Sequence, residues 1–213
     1  MPNPRRNRTR EALLAAGAAL LAERPIDALA IDDIVQAAGV AKGSFYNHFV
    51  DKAALANAIG EAIRDDIEAR VAATNAAITD PAARLVRGVC VYVDFALADP
   101  PRARIMALGL RAERSATADA HAGLRADIAL GLASGRFALP TITVGTIFVT
   151  GVGEAALAGA LTPGTTPQFA TLLAQQLCAL VLKAFGLPHD EAERTAAQAA
   201  HDVIAPAAAT SRD

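Results

Sequence analysis

Tryptophan is absent from this 213-residue chain, and seven phenylalanines and two tyrosines supply all its aromatic rings. Cysteine is as scarce, since only Cys90 and Cys178 occur, each within an apolar stretch. Two isolated cysteines exclude a disulfide framework and a CxxC metal site, so we interpret both as core thiols of a cytoplasmic protein. The net charge of −2 gives no global signal for nucleic-acid binding.

Long apolar runs without interruption are also lacking, although two segments come close. Residues 137–153 and 155–182 carry no charged side chain, and Glu154 is the single charge between them. Glu154 and the turn sequence TPGTTP interrupt these segments, so neither is a clean membrane span of about 20 apolar residues. We therefore expect helices there that are buried against a partner subunit.

Helical periodicity fills the chain, and strand-like alternation persists nowhere. Hydrophobic residues make up 53% of the composition, which is enough for a sizeable core. The sequence therefore predicts an all-α fold with an N-terminal domain over residues 1–52 and a helical body over 53–205. A helix over about 52–74 links the two, and the tail over 206–213 is expected to be disordered.

The aromatic residues are concentrated in GVAKGSFYNHFVDK, residues 39–52, where three of nine fall within five positions. The preceding helix has one apolar stripe, and Gly39 supplies the positive φ that ends such a helix. In the next helix, predicted over about 42–49, Phe45 and Phe49 share a face. We expect these two rings to anchor this helix in the core.

The remaining residues of that helix must then face outward, and they are Lys42, Gly43, Ser44, Tyr46, Asn47 and His48. Such a face on a short, anchored helix can hydrogen-bond base edges and phosphates in a DNA groove. Lys52 lies at the start of the next helix, beside free backbone N–H groups that suit a phosphate. Two helices joined by a short glycine turn form the helix-turn-helix arrangement.

The segment AIDDIVQAAGVAKGSFYNHFVDKAAL, residues 30–55, resembles the DNA-binding motif of the TetR family of bacterial transcriptional regulators. The upstream RTREALLAAGAALLAE resembles the first helix of that family, with Thr9 and Arg10 at its start. The resemblance covers about residues 5–60. It implies an all-helical homodimer with an N-terminal three-helix DNA-binding domain and a C-terminal ligand-binding and dimerisation domain.

By position, the resemblance implies base-facing roles for Lys42, Gly43, Ser44, Tyr46 and Asn47. It implies phosphate contacts for His48 and Lys52, and it adds Thr9 and Arg10 as DNA-binding candidates. Ala30 and Ala41 depart from the family, which often has Thr or Ser there as helix caps. Alanine caps poorly, at a cost of about 1 kcal/mol each.

The body is predicted to hold a small-molecule effector and the dimer interface. Candidate ligand residues are Tyr92, Phe95, Met106, Phe148 and Glu154. The dimer is expected through helices over about 141–160 and 167–185, and its two-fold symmetry predicts a near-palindromic operator. Glu154 fits either an effector pocket or the rim of the dimer, and no cofactor or metal is expected.

Several functions are compatible with this organisation. The first is a repressor released from its operator by the effector; an activator or a ligand-independent regulator of the same fold is the alternative. Glu154 suits a cationic effector. An arginine cluster over residues 102–125 suits an anionic effector, and the uncharged helices suit a lipophilic effector. A small helical enzyme would have to use His121 with Asp119, or Glu154, but no nucleophile–base pairing supports it. A purely structural dimer is the last alternative.

Overall fold

The computed structural model describes residues 4–112 and 121–204, with side chains from 7 to 107 and from 121 onward. These residues form ten α-helices and no strand, which confirms the all-α prediction. The predicted disordered tail lies outside the described residues. The helices are α1 (Pro4–Glu23), α2 (Ile31–Ala38), α3 (Lys42–Tyr46), α4 (Lys52–Thr74), α5 (Pro81–Ala98), α6 (Pro100–Ala112), α7 (Ala122–Ala133), α8 (Ile142–Ala160), α9 (Pro167–Ala184) and α10 (His189–Val203).

The chain divides into two compact units. The first contains the residues up to Asp66 together with 101–112, and the second contains 67–100 with the described residues from 121 onward. The boundary therefore falls inside α4, and most of α6 belongs to the first unit, whereas the sequence predicts a boundary at residue 52.

The first unit is built around a small apolar core from α1 to α4. Leu13, Ile34, Phe45 and Leu55 have no exposed surface, so each of the four helices contributes a fully buried side chain. At Gly17 an added Cβ would lie 2.9 Å from atoms of Leu55 and Ile59. A glycine there lets α1 approach α4 closely.

The third helix is shorter than predicted. We predict a helix over about 42–49 from the sequence, but α3 ends at Tyr46. The N–H groups of His48 and Phe49 both donate to the carbonyl oxygen of Phe45, each at 2.9 Å. The last turn therefore tightens around one acceptor, and Phe49 keeps its place on the buried face.

The second unit is organised around α5, which packs against α7, α8, α9 and α10. Its N-terminus is capped by Asp80, whose carboxylate accepts from the N–H of Ala82 at 3.2 Å. Arg84 pairs with Asp127 of α7 at 2.6 Å and also donates to the carbonyl oxygens of Asn75 and Ile78. This pair connects α7 to the corner between α4 and α5.

Arg136 connects the starts of α5 and α10. Its guanidinium donates two hydrogen bonds to Asp80, at 3.0 and 3.1 Å, and pairs with Glu191 at 2.7 Å. The hydrogen bond from Arg136 holds the pKa of Asp80 below its usual range. The capping carboxylate is therefore also one end of a charged link within this unit.

Both cysteines are free and fully buried, as predicted. Cys90 lies on α5 and Cys178 on α9, two helices that pack together. The hydrogen bond with Cys90 and burial together raise the pKa of the Cys178 thiol. Both side chains therefore serve the core as small apolar groups.

Gly131 of α7 packs directly against the Phe137 ring, and this contact yields a test of the core. A Cβ added there would overlap the Phe137 ring, which itself packs edge-on against Phe185 with centroids 5.1 Å apart. We expect Gly131→Ala to lower the free energy of unfolding by about 1–3 kcal/mol, because an overpacked core must shift. Urea unfolding followed by circular dichroism measures this.

Gly123 of the same helix is the matched control, because nothing lies within 4 Å of a Cβ added there. Gly123→Ala should leave stability unchanged or raise it slightly, since alanine is the better helix former. Equal destabilisation by both substitutions would contradict the packing that we describe around Phe137.

Candidate nucleic-acid interface

The turn between α2 and α3 has the conformation expected from its glycine. Gly39 adopts φ +65° and ends α2 in the left-handed region. The N–H of Val40 donates to the carbonyl oxygen of Val35 at 3.0 Å, and that of Gly39 donates to Gln36 at 3.1 Å. These bonds satisfy the last carbonyls of α2, and the turn is therefore fixed by backbone geometry.

Two phenylalanines fix α3 in the first unit, as predicted. Phe45 is 0% exposed and Phe49 is 5% exposed, and their ring centroids lie 5.8 Å apart. Burial of an aromatic side chain of this size contributes about 1.5–3 kcal/mol. A five-residue helix has little stability of its own, so this burial is what holds it in place.

The opposite side of α3 is exposed and polar. Lys42, Gly43 and Asn47 are exposed, Ser44 is half-buried, and Tyr46 is 54% exposed while its ring packs edge-on against Phe45. The structure thus brings the five base-facing candidates together on one short segment beside a buried anchor.

Lys42 has a partner that sequence reasoning missed. Its ammonium lies 2.8 Å from the carboxylate of Asp32 on α2, and this hydrogen bond raises the pKa of Lys42. Both side chains are exposed, so the pair adds little to stability. This ion pair places the lysine over the start of α2. In the sequence, the one feature that indicated such a partner was the acidic pair at 32–33.

The other DNA-binding candidates lie near the same anchor. The Arg10 guanidinium carbon lies 5.6 Å from the centre of the Phe49 ring, which gives this exposed side chain a cation–π contact. His48 is half-buried, with its ring centroid 6.4 Å from that of Phe49. Thr9 is half-buried on α1. Phe49 is therefore shared by the start of α1 and the end of α3.

Lys52 is held by the protein backbone. Its Nζ donates to the carbonyl oxygen of Asp27 at 3.0 Å and to that of Leu29 at 3.1 Å. Both carbonyls belong to the connection between α1 and α2, more than 20 residues away in the chain. Because such contacts join distant segments, no local pattern in the sequence predicts them.

Helix capping in this unit is uneven. Ala30 and Ala41 precede α2 and α3 without a side-chain cap, as expected of alanine. Asp33 partly compensates at α2, because its carboxylate accepts from the N–H of Ala30 at 3.3 Å. Asp51 caps α4 by accepting from the N–H of Ala54 at 2.7 Å.

The five candidate ligand residues are distributed over both units. Met106 is buried in the first unit, whereas Tyr92, Phe95, Phe148 and Glu154 belong to the second. In the second unit Tyr92 and Glu154 are half-buried, and Phe95 is buried beneath the Arg70 guanidinium at 5.5 Å. Phe148 is 41% exposed. Their division between the units leaves the effector site a prediction.

A broad apolar surface on α8 and α9 contains Phe148 and five residues that sequence reasoning did not single out. Its exposed members are Val144, Ile147 and Phe148 on α8, and Phe169, Leu172 and Leu180 on α9. Among the described residues α8 alone is long and apolar enough to cross a membrane, and 22% of its apolar window is buried. The helical spacing of these residues was visible in the sequence.

Of the residues named for a catalytic alternative, His121 and Glu154 lie within the described structure. His121 occupies a left-handed position before α7, with φ 71°, and Asp119 lies outside the described residues. Within residues 4–112 and 121–204, no three His, Cys, Asp or Glu side chains are grouped in a way that could hold a metal ion.

The fold and the exposed α3 face define a helix-turn-helix DNA-binding domain followed by a helical body. Residues 13–59 match the model of the bacterial regulatory proteins of the tetR family. An uncharacterized HTH-type transcriptional regulator of Bacillus subtilis (strain 168), YwcC, is 46% identical over 48 residues. That match covers 22% of this chain and 22% of YwcC, so the chain spans about a fifth of this relative.

Solved structures resemble the chain over most of its length. RolR, crystallised with the ligand resorcinol, is 24% identical with a TM-score of 0.63, and the match covers 91% of this chain and 95% of RolR. The transcriptional regulator FadR from Bacillus subtilis, in complex with stearoyl-CoA, is 15% identical with a TM-score of 0.67, over 82% and 98% of the two chains. The expected resemblance holds for the N-terminal domain, because residues 13–59 match the model of the tetR family, and the solved structures share the fold over most of the chain.

The missing cap at α2 gives a stability test of this domain. Ala30→Ser should raise the free energy of unfolding by about 1 kcal/mol, because a serine oxygen can accept from the N–H of Asp33 and complete the capping box. Thermal unfolding measures the gain. Ala28→Ser, two positions earlier on an exposed site that caps no α-helix, should change nothing. A loss of stability at Ala30 would contradict the capping geometry.

Proposed function

We propose that this protein is a dimeric transcription repressor that binds a near-palindromic operator and leaves it when a small molecule binds its body. In this proposal the protein works in the cytoplasm and is not an enzyme. The observation that carries the DNA-binding part is the exposed polar face of α3 beside the buried Phe45 and Phe49.

The base-reading role falls to residues that combine exposure with hydrogen-bonding groups. Lys42 can donate to guanine, Asn47 can bond adenine in a bidentate manner, and Ser44 can serve as donor or acceptor. Gly43 has no side chain and is exposed, so its backbone is open to close approach by DNA. Tyr46 offers a hydroxyl and an exposed ring. Thr9, Arg10 and His48 surround this face and are assigned to the DNA backbone.

Dimerisation is proposed through α8 and α9. The exposed apolar residues on α9 recur at helical spacing, at 169, 172 and 180, and those on α8 at 144, 147 and 148. The two helices pack together, so their exposed sides form one surface of a kind that monomeric proteins rarely expose. A second copy that brings the same pair would complete a four-helix interface.

The effector is proposed to be a small organic molecule with a large apolar part. RolR was solved with resorcinol and FadR with stearoyl-CoA, so this fold accommodates both an aromatic ring and an acyl chain. The body of this chain offers Tyr92, Phe95 and Phe148 for such a ligand, with Glu154 as a polar contact. To shift the protein from 99% bound to DNA to 99% released, the effector must bind the released form more tightly by about 5.5 kcal/mol.

An activator with the same architecture is the second candidate. It would use the same reading face and the same dimer, and it would differ in where the operator lies relative to the promoter. The ligands of RolR and FadR favour a ligand-controlled regulator over a ligand-independent one, and they leave the direction of control open.

Asn47→Ala tests the reading face. The operator is first selected from a random DNA pool. We expect the substitution to weaken the free energy of operator binding by about 1–3 kcal/mol, which is the discrimination that one bidentate base contact provides. Asn57→Ala is the matched control, because Asn57 is also an exposed asparagine and lies on α4 in the same unit. Fluorescence anisotropy at fixed salt compares the two variants with the wild type. Equal affinities for all three proteins would refute the assignment of Asn47, and selection of no preferred sequence would refute specific DNA binding.

Ile147→Glu and Leu180→Glu test the dimer. Ile147 is 67% exposed and Leu180 is 58% exposed in the single chain. In the proposed dimer, a carboxylate at either position would be buried between the two subunits. Burial of an unpaired charge is costly, so sedimentation should find monomers at concentrations where the wild type is dimeric. Val50→Glu, at an 81% exposed apolar site in the first unit, should leave the dimer intact. A dimer that survives both α8 and α9 substitutions must use another surface.

A further inference from the structure

One polar residue interrupts the exposed apolar side of α9. Gln176 is exposed, and the exposed side chains of Phe169, Leu172 and Leu180 lie within about 40° of it around the helix, at about 100° per residue. The glutamine amide has an N–H₂ group that donates and a carbonyl oxygen that accepts. Water satisfies these groups in a single chain, but a second chain that covers this stripe would remove the water.

Gln176 lies in the middle part of the apolar surface that α8 and α9 share. The packing of these two helices places Gly159 against the Leu173 side chain, and it places the Phe148 ring 6.3 Å from the Phe185 ring between centroids. Gln176 lies between these two contacts along the chain. The axis of a two-fold interface passes through the centre of the covered surface, and a residue near the axis meets its own counterpart.

The exposed residues of α8 beside Gln176 are small and have no polar side chain. Because Gly159 packs against Leu173, the part of α8 level with Gln176 is near residue 156, where Ala155 and Ala158 are exposed. These alanines leave room for a side chain and offer it no hydrogen bond. A second copy would bring the same small and apolar residues, because the two sides of a two-fold interface are identical.

We propose that Gln176 forms reciprocal hydrogen bonds with Gln176 of the partner subunit, and that this pair selects the homodimer. This inference rests on the proposed dimer through α8 and α9 and deepens it. Each amide can donate one N–H to the carbonyl oxygen of the other, so the two-fold symmetry gives two equal bonds. The basis of the proposal is a single amide in the middle of an otherwise apolar stripe.

A buried amide pair contributes more to the choice of partner than to affinity. The pair exchanges hydrogen bonds with water for hydrogen bonds in the interface, so its net gain is small, whereas an amide buried without a partner loses its hydration uncompensated. A regulator of the same fold with an apolar side chain at this position would leave Gln176 in that state. One polar residue in an apolar coiled-coil seam specifies register and oligomeric state in the same way.

Subunit mixing between the wild type and Gln176→Leu tests the pair. The two proteins carry tags of different mass, exchange subunits to equilibrium, and are counted by native mass spectrometry. We expect the heterodimer to fall about tenfold below its statistical proportion, because it buries one amide without a partner. The Gln176→Leu homodimer should be at least as tight as the wild type, since both polar partners are replaced by apolar groups.

Gln168→Leu is the matched control, because Gln168 is an exposed glutamine on the same helix, about 80° around it from Gln176. Its heterodimer with the wild type should form in the statistical proportion. A statistical heterodimer between the wild type and Gln176→Leu would overturn the proposal and leave the dimer in place. That is the result expected if each Gln176 bonds independently, to water or to Glu154 of the partner subunit.

Hydrogen exchange of the full chain gives a second readout. The side-chain N–H₂ signals of Gln176, identified by their absence from Gln176→Leu, should exchange slowly with solvent in the dimer, and those of Gln168 should exchange fast. Fast exchange at Gln176 in a dimeric sample would overturn the pair. A protein that stays monomeric, or a dimer that survives both Ile147→Glu and Leu180→Glu, would instead refute the proposed interface itself.

Discussion

Burial of Phe45 and Phe49 is the constraint on which the reading face depends. A helix of five residues is not stable alone, because helix nucleation is unfavourable and five residues form too few hydrogen bonds to offset its free-energy cost. Both rings are buried in the first unit, and Arg10 packs over the outer face of Phe49. The backbone that carries the polar residues of α3 is therefore held in place before DNA binds, and binding need not order it.

The first unit achieves this position with unequal means at its helix ends. The α2–α3 turn is fixed by Gly39, and α4 is capped by Asp51, while Ala30 and Ala41 leave the starts of α2 and α3 without side-chain acceptors. Asp33 supplies part of the missing capping at α2. Strong local bonds thus fix the turn at Gly39 and the start of α4 at Asp51, which lie on either side of α3. The starts of α2 and α3, which lack a side-chain cap, are held by the core.

Features that depend on local spacing were predictable from the sequence. The i, i+4 spacing of Phe45 and Phe49, the glycine turn and the Asp51 cap all follow from residues a few positions apart. The partners of Lys52 and the packing of Phe137 against Phe185 did not, because they join segments that only the folded chain brings together. The length of α3 was overestimated because a buried Phe49 suggests helix, although a tightened turn places the ring equally well.

The same distinction explains why the DNA-binding half of the molecule is better defined than the effector site. A reading face needs a few polar residues on one short segment, and such a segment carries its own signature. An effector site collects side chains from several helices, and here Met106 and Phe95 belong to different compact units. The exposed apolar sides of α8 and α9 are an intermediate case, because their spacing is local but their role rests on the second copy that we propose. In the proposed dimer, function in the body belongs to two chains together, whereas the reading face is already complete in one chain.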